Sequence, residues 1–389
     1  KKDYDRLVER AKDGYIKLSD NNTGSFQIHY LYMRSYFRDV EISETNKEAF
    51  EYFKGQAAKY WNNRGWYTEG MIALALNRYG DVVVPMNIVK SLKENSLNSE
   101  ELGMYWKDNV WGYYWYEAPI ETQSLLIEVF DEVGKDAKSV DDMKVWLLKN
   151  KQTNDWKTTK ATVEAVYALL LKGEDWLATD MLVDVSVGSQ KVDMSGAEAG
   201  TGYFKTSWKW GEIKPEMGNV TVTRKSSTGI SWGSLYWQYY EDLDKISKQE
   251  TNLKIEKKLF VEENTPSGMV IKPIDGTLKV GDMVRVRIEI RTDRDMEYVH
   301  MKDMRAAGFE PVNVISQYKY KDGLGYYEST RDAATNFFFG YLPKGTYVFE
   351  YQLRVNLKGD YSNGITTIQC MYAPEFTSHS EGVRVSVNN

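Results

Sequence analysis

One switch in periodicity constrains this 389-residue chain more than any other feature: near residue 180 the apolar residues stop recurring at helical spacing and begin to alternate. Before the switch, Met71, Ile72, Leu74, Ala75 and Leu76 within Thr68 to Tyr79 share one buried face of a helix, and Gly80 follows as its stop. Ile120, Leu125, Leu126, Val129 and Phe130 do the same within Pro119 to Val133, with Pro119 in a first turn where its missing N–H costs nothing and Gly134 as the stop. Ala161, Val163, Val166, Leu169 and Leu170 mark a third helix from Thr158 to Leu171, ended by Gly173. Shorter helices fit Asp3–Leu18, Phe26–Phe37, Lys47–Tyr60, Asn87–Leu92 and Val140–Lys149.

The helices repeat. An aromatic stretch precedes a helix with an early acid at Trp66-Tyr67-Thr68-Glu69, at Trp115 to Glu121, and at Trp156 before Glu164. The acids are 52 and 43 residues apart, which fits one helical hairpin with its loops. Stacked hairpins of this length curl into an α/α toroid or a solenoid. A six-hairpin ring needs roughly 250–350 residues at this spacing, so about 180 predict a partial toroid that lacks its opening members.

After the switch the pattern has a period of two. Val284, Val286, Ile288 and Ile290 share one face of Met283 to Arg291, with Arg285, Arg287, Glu289 and Arg291 on the other. Tyr347, Phe349, Tyr351, Leu353 and Val355 repeat the rule, and Met181 to Val187 and Asn219 to Thr223 also alternate. One solvated face per strand points to antiparallel sheets packed as sandwiches, and turns at Asp275-Gly276, Val280-Gly281-Asp282, Pro343-Lys344-Gly345 and Asn363-Gly364 separate the runs. The expected fold class is therefore multidomain α and β: a partial α/α toroid over 1–180, a smaller β unit over 181–245, and a larger β-sandwich over 250–389, with Tyr239 to Thr251 as a polar linker.

Composition excludes several functions. Lys and Arg total 50 against 56 Asp and Glu, with no basic run, which argues against a nucleic-acid partner. A single cysteine, Cys370, permits no intrachain disulfide and no cysteine-based zinc cluster; it reads as a small buried hydrophobe. His29, His300 and His379 lack ligand spacing and read as surface or cap residues, so neither a metal nor a cofactor is expected. No apolar stretch approaches the ~20 residues of a membrane span.

What remains is aromatic and acidic. The chain has 12 Trp and 28 Tyr, and Trp106, Trp111, Tyr113, Tyr114, Trp115 and Tyr116 crowd one loop. Trp111, Tyr113 and Trp115 form either a stacking platform for sugars, with Glu117, Glu121 and Asp155 as paired acids, or a filling between hairpins. Glu69, Glu121 and Glu164 are acids at helix starts, where the helix dipole favours them.

The last third resembles the terminal domain of bacterial alpha-2-macroglobulin-like proteins, especially those of the Bacteroidetes type. The resemblance lies in Leu278-Lys279-Val280-Gly281-Asp282, Asp293 to Val299, Lys302 to Pro311, Tyr341 to Tyr347 and Met371-Tyr372-Ala373-Pro374-Glu375. The helical part is similar to that family's thioester-bearing toroid through Ile120-Glu121-Thr122-Gln123, Trp146-Leu147-Leu148 and Thr162-Val163-Glu164-Ala165, and the middle β unit would match its CUB-like segment. The resemblance implies a protease trap, in which bait cleavage releases a Cys–Gln thioester that captures the protease. It implies proteases and the remaining domains of the same polypeptide as partners, and the periplasm or outer cell envelope as location. The thioester signature Cys-x-Glu-Gln is absent: Cys370 is followed by Met371-Tyr372-Ala373. Either the motif lies upstream in a longer chain, or the protein belongs to a branch without it.

On that resemblance the chain has no enzymatic activity of its own, and Met371 and Tyr372 form a segment that covers the thioester and keeps water out. The plainer alternative for Met371 is core packing at a strand end. Two other readings of the whole chain are a carbohydrate-active toroid with an accessory β-sandwich, and an envelope scaffold or adhesion module.

Overall fold

The computed structural model describes residues 1–115, 117–172, 183–198, 202–225, 231, 233–274 and 277–389. Among the described residues, eight α-helices occupy the first part: α1 (Lys2–Lys12), α2 (Ser25–Arg34), α3 (Glu44–Lys59), α4 (Trp66–Arg78), α5 (Val83–Glu94), α6 (Pro119–Val129), α7 (Ala137–Thr153) and α8 (Thr159–Leu171). A short hairpin of β1 (Leu97–Ser99) and β2 (Gly103–Tyr105) interrupts them, and β3 (Val183–Val187), β4 (Gln190–Lys191) and β5 (Val220–Arg224) form a small antiparallel sheet ordered β4-β3-β5. The mixed α and β class expected from the sequence is the one observed. Residues 1–149 and 156–232 form one compact unit; residues 150–155 and 233–389 form the other.

In the first unit the even-numbered helices stand in a row. α4 packs against α2 on one side and α6 on the other, and α6 packs against α8; α3 and α5 lie against this row. A helix flanked on all sides buries its whole surface. Every residue of α4 from Tyr67 to Leu76 is buried, and so is every residue of α6. The two helices approach closely at Gly70, where a Cβ would lie 3.1 Å from a Leu126 methyl and 3.2 Å from a Leu125 methyl. The polar tie between them is Arg78, whose guanidinium lies 2.9 Å from Glu128 and 2.6 Å from Glu132.

Two of the expected boundaries shift. α1 ends at Lys12, short of Leu18, because Gly14 takes φ +78 and turns the chain. α6 ends at Val129 and continues as one π-helical turn, Phe130–Gly134; the left-handed residue that closes it is Lys135, at φ 50, and not Gly134. Gly80 does act as a stop, at φ +91. The stop expected at Gly173, the strand start at Met181-Leu182 and the turn at Asp275-Gly276 fall outside the described residues.

The second unit holds β6 (Leu253–Thr265), β7 (Gly268–Pro273), β8 (Leu278–Lys279), β9 (Met283–Thr292), β10 (Met296–Met304), β11 (Phe309–Pro311), β12 (Gln317–Lys321), β13 (Leu324–Thr330), β14 (Ala334–Leu342), β15 (Gly345–Val355), β16 (Gly359–Ser362), β17 (Thr366–Cys370), β18 (Ala373–His379) and β19 (Arg384–Asn388). A six-stranded sheet runs β12-β13-β14-β10-β17-β18 and a five-stranded one β11-β15-β9-β6-β7; a third, β16-β19-β8, contains the one parallel pair among the described strands. The inward residues of β9, Val284, Val286, Ile288 and Ile290, join Met301, Phe337, Phe339 and Phe349 in one core. The outward face of β9 is an ion-pair ladder: Arg285 reaches Glu262 at 2.6 Å and Glu350 at 3.3 Å, and Arg287 reaches Glu350 at 2.5 Å. The core also encloses a charged pair, Lys257 Nζ 2.6 Å from the fully buried Asp303, completed by hydrogen bonds that Thr366 and Tyr351 donate to the carboxylate.

Candidate functional site

Met371 and Tyr372 occupy a two-residue turn. Cys370, the last residue of β17, pairs with Ala373, the first of β18, so only these two side chains form the tip. Both are exposed, by 58% and 78%. Core packing is therefore not the role of Met371. The strand alternation puts Cys370 inward, 1% exposed, with its Sγ 3.4 Å from the Glu297 carbonyl, and the next residue outward. Burial pushes the Cys370 thiol pKa up, as expected for a packed thiol.

The tip has a neighbour that the sequence does not advertise. Tyr298, in β10, sits at φ +54, a region that residues with bulky side chains rarely enter. Its carbonyl accepts a 3.0 Å hydrogen bond from the Met371 N–H. Its ring meets the Tyr372 ring edge to face, with centroids 5.2 Å apart and planes at 85°. Tyr298 is 53% exposed, so a thioether and two phenol rings lie together on the surface.

In the first unit the aromatic loop divides. Trp106 is 2% exposed and donates its Nε1–H to the Leu92 carbonyl at 2.9 Å, which is the filling role. Trp111, Tyr113 and Trp115 stay exposed, Tyr113 by 94%. Trp115 lays its ring edge against His29 at 4.7 Å and lies 6.1 Å from Tyr67. Glu117 holds the loop together: its Oε2 accepts from the Tyr114 N–H at 2.9 Å and its carbonyl from the Gly112 N–H at 3.3 Å.

The three early acids have different fates. Glu69 and Glu121 are in first turns, as expected, but each is only 4% exposed. Glu69 Oε2 has no hydrogen-bond partner in the protein, and burial pushes its pKa up to about 7. Glu121 accepts a 3.4 Å contact from the Thr158 hydroxyl on one oxygen, while the other has none. Glu164 departs from the expectation: it is the sixth residue of α8, and the cap of that helix is Thr158, whose hydroxyl accepts from the Ala161 N–H. Glu164 pairs instead with Lys160 at 3.4 Å, and Lys160 also lies over the Tyr67 ring, 5.2 Å from its centroid. Burial raises the Glu164 pKa against the opposing pull of Lys160. Asp155 is expected from the sequence as a paired acid with Glu117 and Glu121. It belongs to the other compact unit, where its N–H donates to Glu297 Oε2 at 3.0 Å. His29 is half-buried under Trp115 rather than a plain surface residue; His300 stacks on Phe338 at 4.7 Å. No cluster of metal-ligating side chains occurs among the described residues, and no described helix is long and apolar enough to cross a membrane.

The second unit is built on a six- and a five-stranded antiparallel sheet with an exposed hairpin tip. Residues 253–375 match the family described as the bacterial alpha-2-macroglobulin MG10 domain. Among solved structures, the chain is similar to trypsin-activated alpha-2-macroglobulin from Escherichia coli, at 12% identity over 93% of this chain and 25% of that one, with a TM-score of 0.37. It is also similar to native Escherichia coli alpha-2-macroglobulin from domain MG7 to the C-terminus (12% identity, 98% of this chain, 62% of that one, TM-score 0.30). Salmonella alpha-2-macroglobulin reacted with methylamine gives 15% identity, 99% and 24% coverage, and a TM-score of 0.30. A curated protein, circularly permutated Ras protein 2 of Dictyostelium discoideum, is 24% identical over 161 residues, which are 40% of this chain and 4% of that protein. The chain thus spans less than two thirds of the length of each of these.

Proposed function

We propose that this chain is the C-terminal portion of a bacterial alpha-2-macroglobulin-like inhibitor that traps proteases, and that it is itself non-catalytic. The observation that carries the reading is the MG10 domain over 253–375. The helical part, residues 1–180, is then a partial α/α toroid. Its support is the inner row of even-numbered helices and the bare apolar stripes at the row's two ends: Phe26, Tyr30 and Met33 on α2, and Val163, Val166 and Leu170 on α8. Further hairpins of a closed ring would cover both. Residues 181–245 are the CUB-like unit and 250–389 the macroglobulin-like sandwich. The Bacteroidetes type, and a place in the periplasm or outer cell envelope, belong to the same reading.

Within that molecule the Met371–Tyr372 tip shields a thioester carried elsewhere in the polypeptide. A polarisable thioether moulds to an irregular surface, and a phenol ring adds rigid area; together they exclude the water that would hydrolyse a strained acyl bond. The partners are the trapped proteases and the remaining domains of the same polypeptide.

The test uses the full-length protein with trypsin or elastase, the proteases that activated the similar Escherichia coli proteins. A trapped protease co-elutes with the inhibitor, loses activity on protein substrates and keeps it on small peptides. Simple digestion, with the protease eluting free and fully active, refutes the trap. The carbohydrate reading draws no support from the geometry. Glu117 is engaged in holding its own loop, Glu121 is almost inaccessible, and Asp155 lies in the other unit.

A further inference from the structure

We propose that Tyr298 is a positioning residue for the shielding tip: its left-handed backbone and its ring together fix Tyr372 in place. This rests on the shielding reading above and adds to it the device that keeps the plug preformed. The starting point is an outlier. A side chain beyond glycine is strained at φ +54, and such strain persists only where the surroundings over-determine it. Here they do. Glu297 pairs with Tyr341 and Val299 with Phe339 across β14, and Val299 pairs with Cys370 across β17, so both flanks of Tyr298 are held in register. Met296 and Val299 are at most 1% exposed and anchor the strand on either side.

The conformation breaks the strand's alternation. Met296 and Glu297 are both buried, Tyr298 is exposed, and Val299 is buried again. Two contacts follow from that twist. The Tyr298 carbonyl takes the Met371 N–H, and the Tyr298 ring takes the edge of Tyr372. Glycine would satisfy the backbone without strain; the ring contact accounts for a tyrosine in its place. A loose plug admits water.

Three substitutions separate backbone from ring. Tyr298→Gly removes strain and ring together, Tyr298→Ala keeps the strain and loses the ring, and Tyr298→Phe keeps both. The first readout, on this chain, is amide exchange at Met371. We expect Tyr298→Gly to fold with unreduced stability yet exchange roughly tenfold faster at Met371, with Tyr298→Phe unchanged. The second readout, on the full-length protein, is oxidation of Met371 by dilute peroxide, followed by mass spectrometry against the comparably exposed Met269 (54% exposed) as internal reference. A shielding tip leaves Met371 several-fold slower than Met269 until a protease is added, and Tyr298→Gly abolishes that delay.

Unchanged exchange and unchanged oxidation in Tyr298→Gly overturn the positioning role. If Met371 oxidises as fast as Met269 in the untreated wild type, the shielding reading falls instead, whatever the exchange rates show. Tyr298→Ala supplies the control for folding: if it unfolds while Tyr298→Gly does not, the strain is real and the comparison rests on the glycine and phenylalanine variants.

Discussion

Glu69 shows how much a single carboxyl can hide in a first helical turn. Burial lifts its pKa to about 7, from an ordinary value near 4.5. The folded state therefore holds a proton that the unfolded chain releases at lower pH. The stability this group contributes is complete below about pH 4.5, declines as pH rises, and is gone above about pH 7, where the buried site must accept a charge. Glu69→Gln should flatten urea-unfolding stability between those values and leave the variant more stable than wild type at pH 8. Parallel pH profiles for the two proteins would show that Glu69 does not titrate in this range. An acid at that position reads in sequence as a dipole partner, and position alone supports that. What decides otherwise is the covering of α4 on every side, hinted at by the unbroken apolar run Met71 to Leu76. Tyr298 gave no signal at all, since sequence spacing carries no information on which residue takes a left-handed backbone.

Elements with long, regular patterns were legible, and short or irregular ones were not. The strand expected at Met283 to Arg291 is β9, Met283–Thr292, and the helix expected at Thr158 to Leu171 is α8, Thr159–Leu171. The hairpin β1–β2 went unseen because each strand has three residues, too few for alternation to register; its Gly103, at φ +74 against the Asp142 carbonyl, is the one clue. The π turn after α6 likewise has no periodic mark. Packing between elements is a matter of a few tenths of an ångström. At Gly70 the neighbouring leucine methyls leave no room for a branched side chain, so Gly70→Leu should cost about 1–3 kcal/mol by overpacking, despite leucine's better helix propensity. Chemical denaturation checks this; an unchanged midpoint would mean that α4 and α6 separate more easily than their burial implies.

At the scale of the molecule, composition and periodicity located the change from helix to sheet. The polar run Tyr239 to Thr251 marked a linker, yet the irregular stretch begins by residue 233 and carries Leu235, Tyr236, Trp237 and Tyr240, all exposed, the last by 98%. Apolar residues in that density suggest a strand until their surroundings are seen. Exposed backbone beside aromatic side chains is what chymotrypsin cuts. Limited digestion should cleave first between 235 and 240 and leave a resistant fragment of about residues 241–389, identified by mass. A first cut inside β9 to β15 would mean that the sandwich is not the more robust part.

The position of the one cysteine has a practical corollary. Cys370 is the sole thiol of the 389 residues, sealed one residue behind the exposed tip. A maleimide reagent therefore reacts only when that hairpin opens, and its labelling rate times the opening at a single known place. This chain contains its own stopwatch for that hairpin, with no engineered label and no second thiol among its 389 residues to confuse the reading.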